Sequence, residues 1–240
     1  MLPPIAHRGL HSEGVPENSP AAFEAAIAKG YGIELDVHLS KDGEAIVFHD
    51  YELSRITTGN GAVRQHTAAE LSAVKLANGE AIPTLQQVLK QISGQVGLLV
   101  EIKDQDGAMG TDLGPLETRV AELLNEYRGP VAVMSINPHA VYLLSQLAPT
   151  VHRGLVTGDF SAENWPMLPR KRADELLGIP DYDRVKASFI SHNFKSLDSA
   201  RVHEIRQIGD PILSWTIKSE EDEFEARRLA DNITFEGYLP

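Results

Sequence analysis

The chain has no cysteine among its 240 residues, which excludes a disulfide framework and thiol catalysis. No apolar run approaches the roughly 20 residues of a membrane helix. Basic residues are scarce: 22 Lys and Arg stand against 34 Asp and Glu, for a formal net charge of −12. A surface that acidic opposes wholesale binding of nucleic acid or of an anionic membrane. It leaves room for a local basic pocket that takes one phosphate. The opening Met1-Leu2-Pro3-Pro4 lacks the basic and apolar regions of a signal peptide, so a cytoplasmic protein is the expectation. What is present is an ordinary globular composition, 42% hydrophobic and 23% charged. That suffices for a large core, and α/β barrels commonly reach this length as one domain.

The stretch that organises the rest is Gly32-Ile33-Glu34-Leu35-Asp36-Val37-His38. Its alternation predicts a β-strand, in which side chains two apart share a face. Glu34 and Asp36 then point one way and Ile33, Leu35 and Val37 the other. Neighbouring carboxylates repel and drive one pKa up; a cation between them relieves this. An oxygen-only ligand set favours a hard divalent ion, Mg²⁺ or Ca²⁺. Taken alone, the triplet fits equally the wet face of an amphipathic strand.

Taken in order, residues 5–9 predict a short strand ending in His7-Arg8-Gly9. A helix follows from an N-cap at Asn18 or Ser19, with Pro20 in its first turn, Ala22, Phe23, Ala26 and Ile27 as its apolar stripe and Gly30 at its end. Lys41-Asp42-Gly43 predicts a turn and Glu44 to Phe48 a returning hairpin strand. Pairing across Asp42-Gly43 sets His49 roughly opposite Asp36. Residues 39–83 read as a small insertion lobe with one short helix, Thr67 to Val74. Thr84 caps a helix to Ile92. Further strands are expected at 98–103, 131–135, 152–156, 189–192, 212–215 and 233–235. Helices near 115–128, 138–147, 170–177, 197–208 and 219–231 separate them. Eight such strands point to a closed (β/α)₈ TIM barrel, with an open doubly wound sheet as second choice. A single domain, 1–240, is expected. The 160–184 segment, with Pro166, Pro169 and Pro180, reads as a long loop over one barrel end.

Barrel active sites lie at the C-terminal ends of the strands. His7 and Arg8 end the first strand, Glu34 and Asp36 the second, and Glu101 and Lys103 the third. Three carboxylates on adjoining strands can hold one divalent ion. Arg8 and Lys103 read as unpaired cations that, with a metal, receive an anion such as a phosphate. His7 and His49 are two candidate proton carriers. Each residue alone also has a structural reading, as a solvated strand end or a hydrogen-bonded core group.

The joint pattern resembles the glycerophosphodiester phosphodiesterase family. The matching stretches are Ala6-His7-Arg8-Gly9, Pro16-Glu17-Asn18-Ser19, Glu34-Leu35-Asp36-Val37, Val47-Phe48-His49-Asp50, the Leu53 to Gly59 run, Ile82-Pro83-Thr84-Leu85, Glu101-Ile102-Lys103 and Ser214-Trp215-Thr216. The resemblance implies a (β/α)₈ barrel with a small insertion after the second strand, and metal-dependent hydrolysis of glycerophosphodiesters to glycerol 3-phosphate and an alcohol. It implies His7 and His49 as the acid–base pair, and Glu34, Asp36 and Glu101 as ligands of one Mg²⁺ or Ca²⁺. Arg8 and Lys103 would hold the phosphate, and Glu17, Asn18 and Trp215 would border the site. For Glu17 and Asn18 helix capping stands equal to a site role, and for Trp215 a buried core position stands equal to a substrate wall.

The expected partner is a small-molecule glycerophosphodiester, with no nucleic acid and no stable membrane insertion. Three departures stand out. Ser19 replaces the usual Thr, Thr216-Ile217-Lys218 replaces the usual stretch after the Trp, and the last strand runs Ile233 to Pro240 where the family usually has an Asp near the strand's end. These bear on substrate selection more than on catalysis. A lysophospholipase D on the same scaffold is a second enzymatic reading; it would use the 160–184 segment (Phe160, Trp165, Met167, Leu168) as an apolar groove. A non-catalytic phosphodiester-binding module is a third, against which the intact histidine pair speaks.

Overall fold

The computed structural model describes residues 2–105, 107–162, 165 and 168–240. Nine strands form one sheet: β1 (Ile5–Ala6), β2 (Gly32–Leu39), β3 (Ala45–Val47), β4 (Leu98–Ile102), β5 (Val131–Ser135), β6 (His152–Thr157), β7 (Phe189–Asn193), β8 (Ile212–Ile217) and β9 (Asn232–Phe235). All neighbours pair in parallel except β2 with β3. β1 bonds both to β2 and to β9, so eight strands close on themselves and β3 hangs outside. This is the (β/α)₈ barrel, and the closing pair excludes the open sheet.

The helices are α1 (Pro20–Lys29), α2 (Ala68–Ala73), α3 (Leu85–Ile92), α4 (Pro115–Glu126), α5 (Pro138–Leu147), α6 (Arg170–Leu177), α7 (Ala200–Ile208) and α8 (Glu220–Ala226). Their local chemistry follows the sequence. Ser19 caps α1 by accepting from the Ala22 N–H, and Gly30 ends it at φ 73°. Thr67 and Thr84 each form a reciprocal capping box, satisfying otherwise orphaned first-turn donors.

Two apolar layers follow from the strand period. Ile33, Leu35 and Val37 face outward into the layer between barrel and helices, with Val88, Val120, Leu144 and Ile205. Leu99, Met134, Val156 and Phe189 form a second cluster, and Met134 and Val156 of it line the barrel's cavity. Gly154 is needed there, because a Cβ would meet the Phe189 ring at 2.2 Å. Residues in the 39–83 stretch have a third cluster of their own, built on Phe48, Leu53, Val63, Leu71 and Leu76.

The structure corrects three local expectations. β1 stops at Ala6, so His7 and Arg8 lie in the turn beyond it, and Arg8 adopts a left-handed φ of 55°. The hairpin pairs Val37 with Val47, and the Phe48 N–H donates to the Asp36 carbonyl at 3.1 Å. Asp36 therefore stands opposite Phe48, one residue short of His49. The expected helix at 219–231 ends at Ala226. In the 160–184 segment Phe160 and Leu168 are buried. Pro166 and Met167 lie outside the described residues. No helix among the described residues is long and apolar enough to cross a membrane.

Candidate active site

A cavity of about 390 Å³ opens at the C-terminal ends of the barrel strands. His7, Arg8, Glu34, Asp36, His49, Glu101, Lys103 and Trp215 all line it. Strand register explains the gathering. β1 pairs Ala6 with Ile33, so His7 follows beside Glu34. β2 pairs Asp36 with Glu101, so the carboxylates of two strands lie side by side. Every second residue of β2 and β4 faces inward; that adds Glu34 to the pair.

Glu34 and Asp36 are each 1% exposed. Together with Glu101 they offer carboxylate oxygens that all lie within 4.8 Å of one another. Burial and the charges of Asp36 and Glu101 push the Glu34 carboxyl well above its ordinary range. Burial pushes Asp36 the same way, yet Lys103, His49 and Arg8 outweigh it and hold Asp36 well below its range. One Glu34 oxygen accepts from the Arg8 N–H at 3.0 Å. The other, Oε1, is buried without a hydrogen-bond partner among the described residues. An all-oxygen donor set with one orphaned buried oxygen suits a hard divalent cation.

The two cations are paired, contrary to the sequence expectation. Lys103 Nζ lies 3.0 Å from Asp36 Oδ1 and 2.9 Å from Glu101 Oε1. Arg8 lies 2.8 Å from Glu17 and 3.4 Å from Asp36. The reason is the shared strand face: Lys103 sits two residues past Glu101 and so meets the same carboxylates. Burial opposes the charge on both bases, but these carboxylates push both pKa values up.

His7 is largely but not fully buried; this burial lowers its pKa, while its bond to Glu236 works the other way. Its Nδ1–H donates to Glu236 Oε2 at 2.5 Å, and its Nε2 stands 4.0 Å from Glu34. His49 donates from Nδ1 to Asp50 at 2.8 Å, and its carbonyl accepts from His38 Nε2 at 2.9 Å. In both residues Nε2 is left free of the orienting carboxylate.

Asn18 and Glu17 divide the work that capping and site roles would share. Ser19 is the cap, so Asn18 is released to face Asp36. Its Nδ2–H donates to Asp36 Oδ2 at 2.9 Å and its Oδ1 accepts from the Asp36 N–H at 3.3 Å. Glu17 accepts from Arg8 and from Arg55, the latter at 2.6 and 3.1 Å. Arg55 also donates to Asp50 at 2.5 Å. A chain of charges thus runs from His49 through Asp50, Arg55 and Glu17 to Arg8. Gly9, at φ 78°, lets the turn pass α1: a Cβ there would meet the Ala22 backbone at 2.9 Å.

Trp215 is partly buried and lines the cavity, its Nε1–H donating to the Ser191 carbonyl at 2.8 Å. Ser191 Oγ and Thr234 Oγ1 line the same wall, buried and without partners among the described residues. The sequence reading missed these hydroxyls, Arg55 and Glu236. For Glu236 a signal existed: a carboxylate just past the last barrel strand, which closure returns to the first.

The chain matches the family model described as the glycerophosphoryl diester phosphodiesterase family over residues 7–234. It is 33% identical over 229 residues to a glycerophosphodiester phosphodiesterase of Caldanaerobacter subterraneus subsp. tengcongensis, covering 91% of this chain and 86% of that protein. A glycerophosphodiester phosphodiesterase of Bacillus subtilis is 26% identical, over 91% of this chain and 77% of its own. Among solved structures, an Oleispira antarctica phosphodiesterase in complex with the product sn-glycerol-3-phosphate superposes with a TM-score of 0.80 at 27% identity. That match covers 98% of this chain and 93% of the other.

Proposed function

The chain belongs to the glycerophosphoryl diester phosphodiesterase family, and on that premise we propose that it hydrolyses glycerophosphodiesters to glycerol 3-phosphate and an alcohol, with His7 and His49 as its proton carriers. The observation that carries this reading is the convergence of both imidazoles and both cations on the cavity that holds the three carboxylates. The chain works as one barrel domain, and the 39–83 lobe contributes His49.

Glu34, Asp36 and Glu101 would hold one Mg²⁺ or Ca²⁺. That ion would supply charge neutralisation at a phosphoryl oxygen. Arg8 and Lys103 bind the remaining phosphate charge. Trp215, Ser191 and Thr234 wall the side away from the carboxylates, where the glycerol fits: an apolar face for its carbons and hydroxyls for its oxygens. Burial favours the neutral form of His7, which suits a base. His7 takes the proton of the glycerol hydroxyl next to the ester, whose oxygen forms a new bond to phosphorus. The bond to the departing alcohol breaks, and His49 gives that oxygen its proton. Water then opens the cyclic phosphate with the two roles exchanged.

One observation favours a variant with a lipid-like alcohol. A groove of about 940 Å³ adjoins the cavity through His49, Glu101, Lys103 and Trp165. Met109, Ile136, Leu168 and Pro169 give it an apolar side. A lysophospholipase D activity would use it.

The test is hydrolysis of glycerophosphocholine and of lysophosphatidylcholine, with and without EDTA, by wild type, His7→Ala and His49→Ala. A general acid or base contributes ~10²–10⁴-fold. Each single mutant should lose about that much in kcat with KM little changed, and the double mutant should be little worse than the slower single. Wild-type turnover in a folded single mutant removes that histidine from the mechanism. No turnover of either substrate by wild type with Mg²⁺ or Ca²⁺ leaves the binding module standing.

A further inference from the structure

Glu236 has no part in the reaction just described, and it does not line the cavity. It follows β9, whose Phe235 pairs with Ala6 of β1. The His7 N–H donates to the Phe235 carbonyl at 2.9 Å. Barrel closure thus sets a carboxylate against an imidazole 229 positions away in the chain. Glu236 Oε2 accepts from His7 Nδ1 at 2.5 Å. Its Oε1 lies 2.7 Å from Lys218 Nζ, and His11 Nε2 stands 3.6 Å from Oε2, beyond a hydrogen bond. The imidazoles of His11 and His7 and the Lys218 ammonium hold this carboxyl well below its usual range.

We propose that Glu236 is a positioning residue that locks His7 in the tautomer with its proton on Nδ1, so that the Nε2 lone pair faces the cavity. The inference rests on the role given to His7 above. A neutral imidazole has one donor and one acceptor nitrogen, and which is which depends on the partner. A carboxylate only accepts, so Glu236 permits one answer. His11 and His7, and after them Lys218, favour the ionised form of that carboxylate, which makes the selection firm. The altered last strand and the altered stretch after Trp215 therefore act together: one brings Glu236, the other Lys218. His7, His11 and Glu236 also lie close enough to hold a metal ion. The Lys218 ammonium on the same carboxylate already supplies the counter-charge that an ion would bring.

Glu236→Gln separates charge from size. Its amide can donate to Nδ1 and favour the other tautomer. We expect kcat for glycerophosphocholine to fall about 10- to 100-fold with KM nearly unchanged; the triad precedent of an amide in place of the orienting carboxylate sets the direction and allows a larger loss. Glu236→Asp should recover part of that rate. In the full chain, ¹⁵N shifts of the His7 ring should report a protonated Nδ1 and an unprotonated Nε2, unchanged by excess EDTA. Glu236→Gln should disturb that pattern. His7→Ala with Glu236→Gln should be no slower than His7→Ala alone. A slow His7→Ala beside a wild-type-like Glu236→Gln overturns this assignment and spares the reaction; a wild-type-like His7→Ala overturns both. A wild-type His7 with its proton on Nε2, or a pattern that EDTA changes, overturns the assignment without any variant.

Discussion

Replacing Glu34 by Gln should reverse the usual sign of a buried-site mutation. Three carboxylates meet within 4.8 Å, and two of them are almost wholly buried. At an effective dielectric near 20, two unit charges at that distance repel by roughly 3.5 kcal/mol. Lys103 answers Asp36 and Glu101; the excess falls on Glu34. The protein relieves it either by keeping a proton on Glu34 or by taking up a cation. Gln keeps the shape and can still accept the Arg8 N–H that Glu34 accepts at 3.0 Å. In EDTA, Glu34→Gln should therefore unfold at or above the wild-type temperature.

The cation term runs the other way. An ion at about 100 times its Kd adds roughly 2.7 kcal/mol to the folded state. In a domain of this size each kcal/mol moves Tm by about 2–4 °C, so Mg²⁺ or Ca²⁺ should raise the wild-type Tm by roughly 5–11 °C. Glu34→Gln should show little of that rise. The pH dependence adds a third mark. The folded pKa of Glu34 is raised, so the folded state holds a proton that the unfolded chain has lost. In EDTA the wild type should lose stability as pH rises through that folded pKa, and Glu34→Gln should lack this loss. Thermal melts with and without the ion across pH 5–9 measure all three. A variant less stable than wild type in EDTA, or one that keeps the full ion-induced rise, refutes the argument.

Two further outcomes follow from residues beyond the carboxylates. Burial pushes His192 down to about 4, where Thr157 stands 2.7 Å from Nδ1 and Nε2–H donates to the Ser196 carbonyl at 3.1 Å. The unfolded chain takes up that proton near pH 6.5 and the folded one does not, so the stabilisation is whole above pH 6.5 and lost as pH falls toward 4. It amounts to at most about 3 kcal/mol, and His192→Gln should flatten urea-melt stability over that window; an unchanged slope counts against it. Arg55→Ala cuts the tie between Asp50 and Glu17, and because Arg55 is about half exposed the stability loss should stay near 1 kcal/mol. Its kcat should fall about tenfold, since small misplacements of reacting groups cost that or more, with Arg55→Lys in between because it lacks the bidentate fork. Wild-type kcat in Arg55→Ala would show that the tie does not orient His49.

The barrel was legible because its signals are local. Alternation in β2 put Glu34 and Asp36 on one face, and the same period, carried one residue past β4, did so for Glu101 and Lys103. Both survive folding because strand periodicity does not depend on neighbours. The hairpin register was one residue off for an equally local reason. A two-residue turn at Asp42-Gly43 would pair Lys41 with Glu44. Instead Ser40 N–H donates to the Glu44 carbonyl at 2.9 Å, leaving three residues in the loop with Gly43 at φ 90°. That is the next hairpin class, with glycine in the left-handed position. His49 still reaches the cavity, because the chain leaves the ladder after Val47 and His38 fixes the His49 carbonyl.

What stayed hidden was partnership rather than position. Arg8 looks free in sequence because Glu17 and Asp36 sit on other segments; Lys103 has one partner two residues away, Glu101, and the other, Asp36, on the neighbouring strand. Their pairing does not weaken a role in phosphate binding. Even with a proton on Glu34, the carboxylates of Asp36, Glu101 and Glu17 stand against Lys103 and Arg8, so the inner wall stays negative. A phosphate monoanion placed against that wall would be repelled. The same wall with a divalent ion between the carboxylates is more positive even after the ion displaces the Glu34 proton, and the bases then face an anion with less competition from Asp36 and Glu101. Affinity for the diester should therefore be set by the charge balance of the whole wall, and no single cation in it can be assigned the phosphate alone.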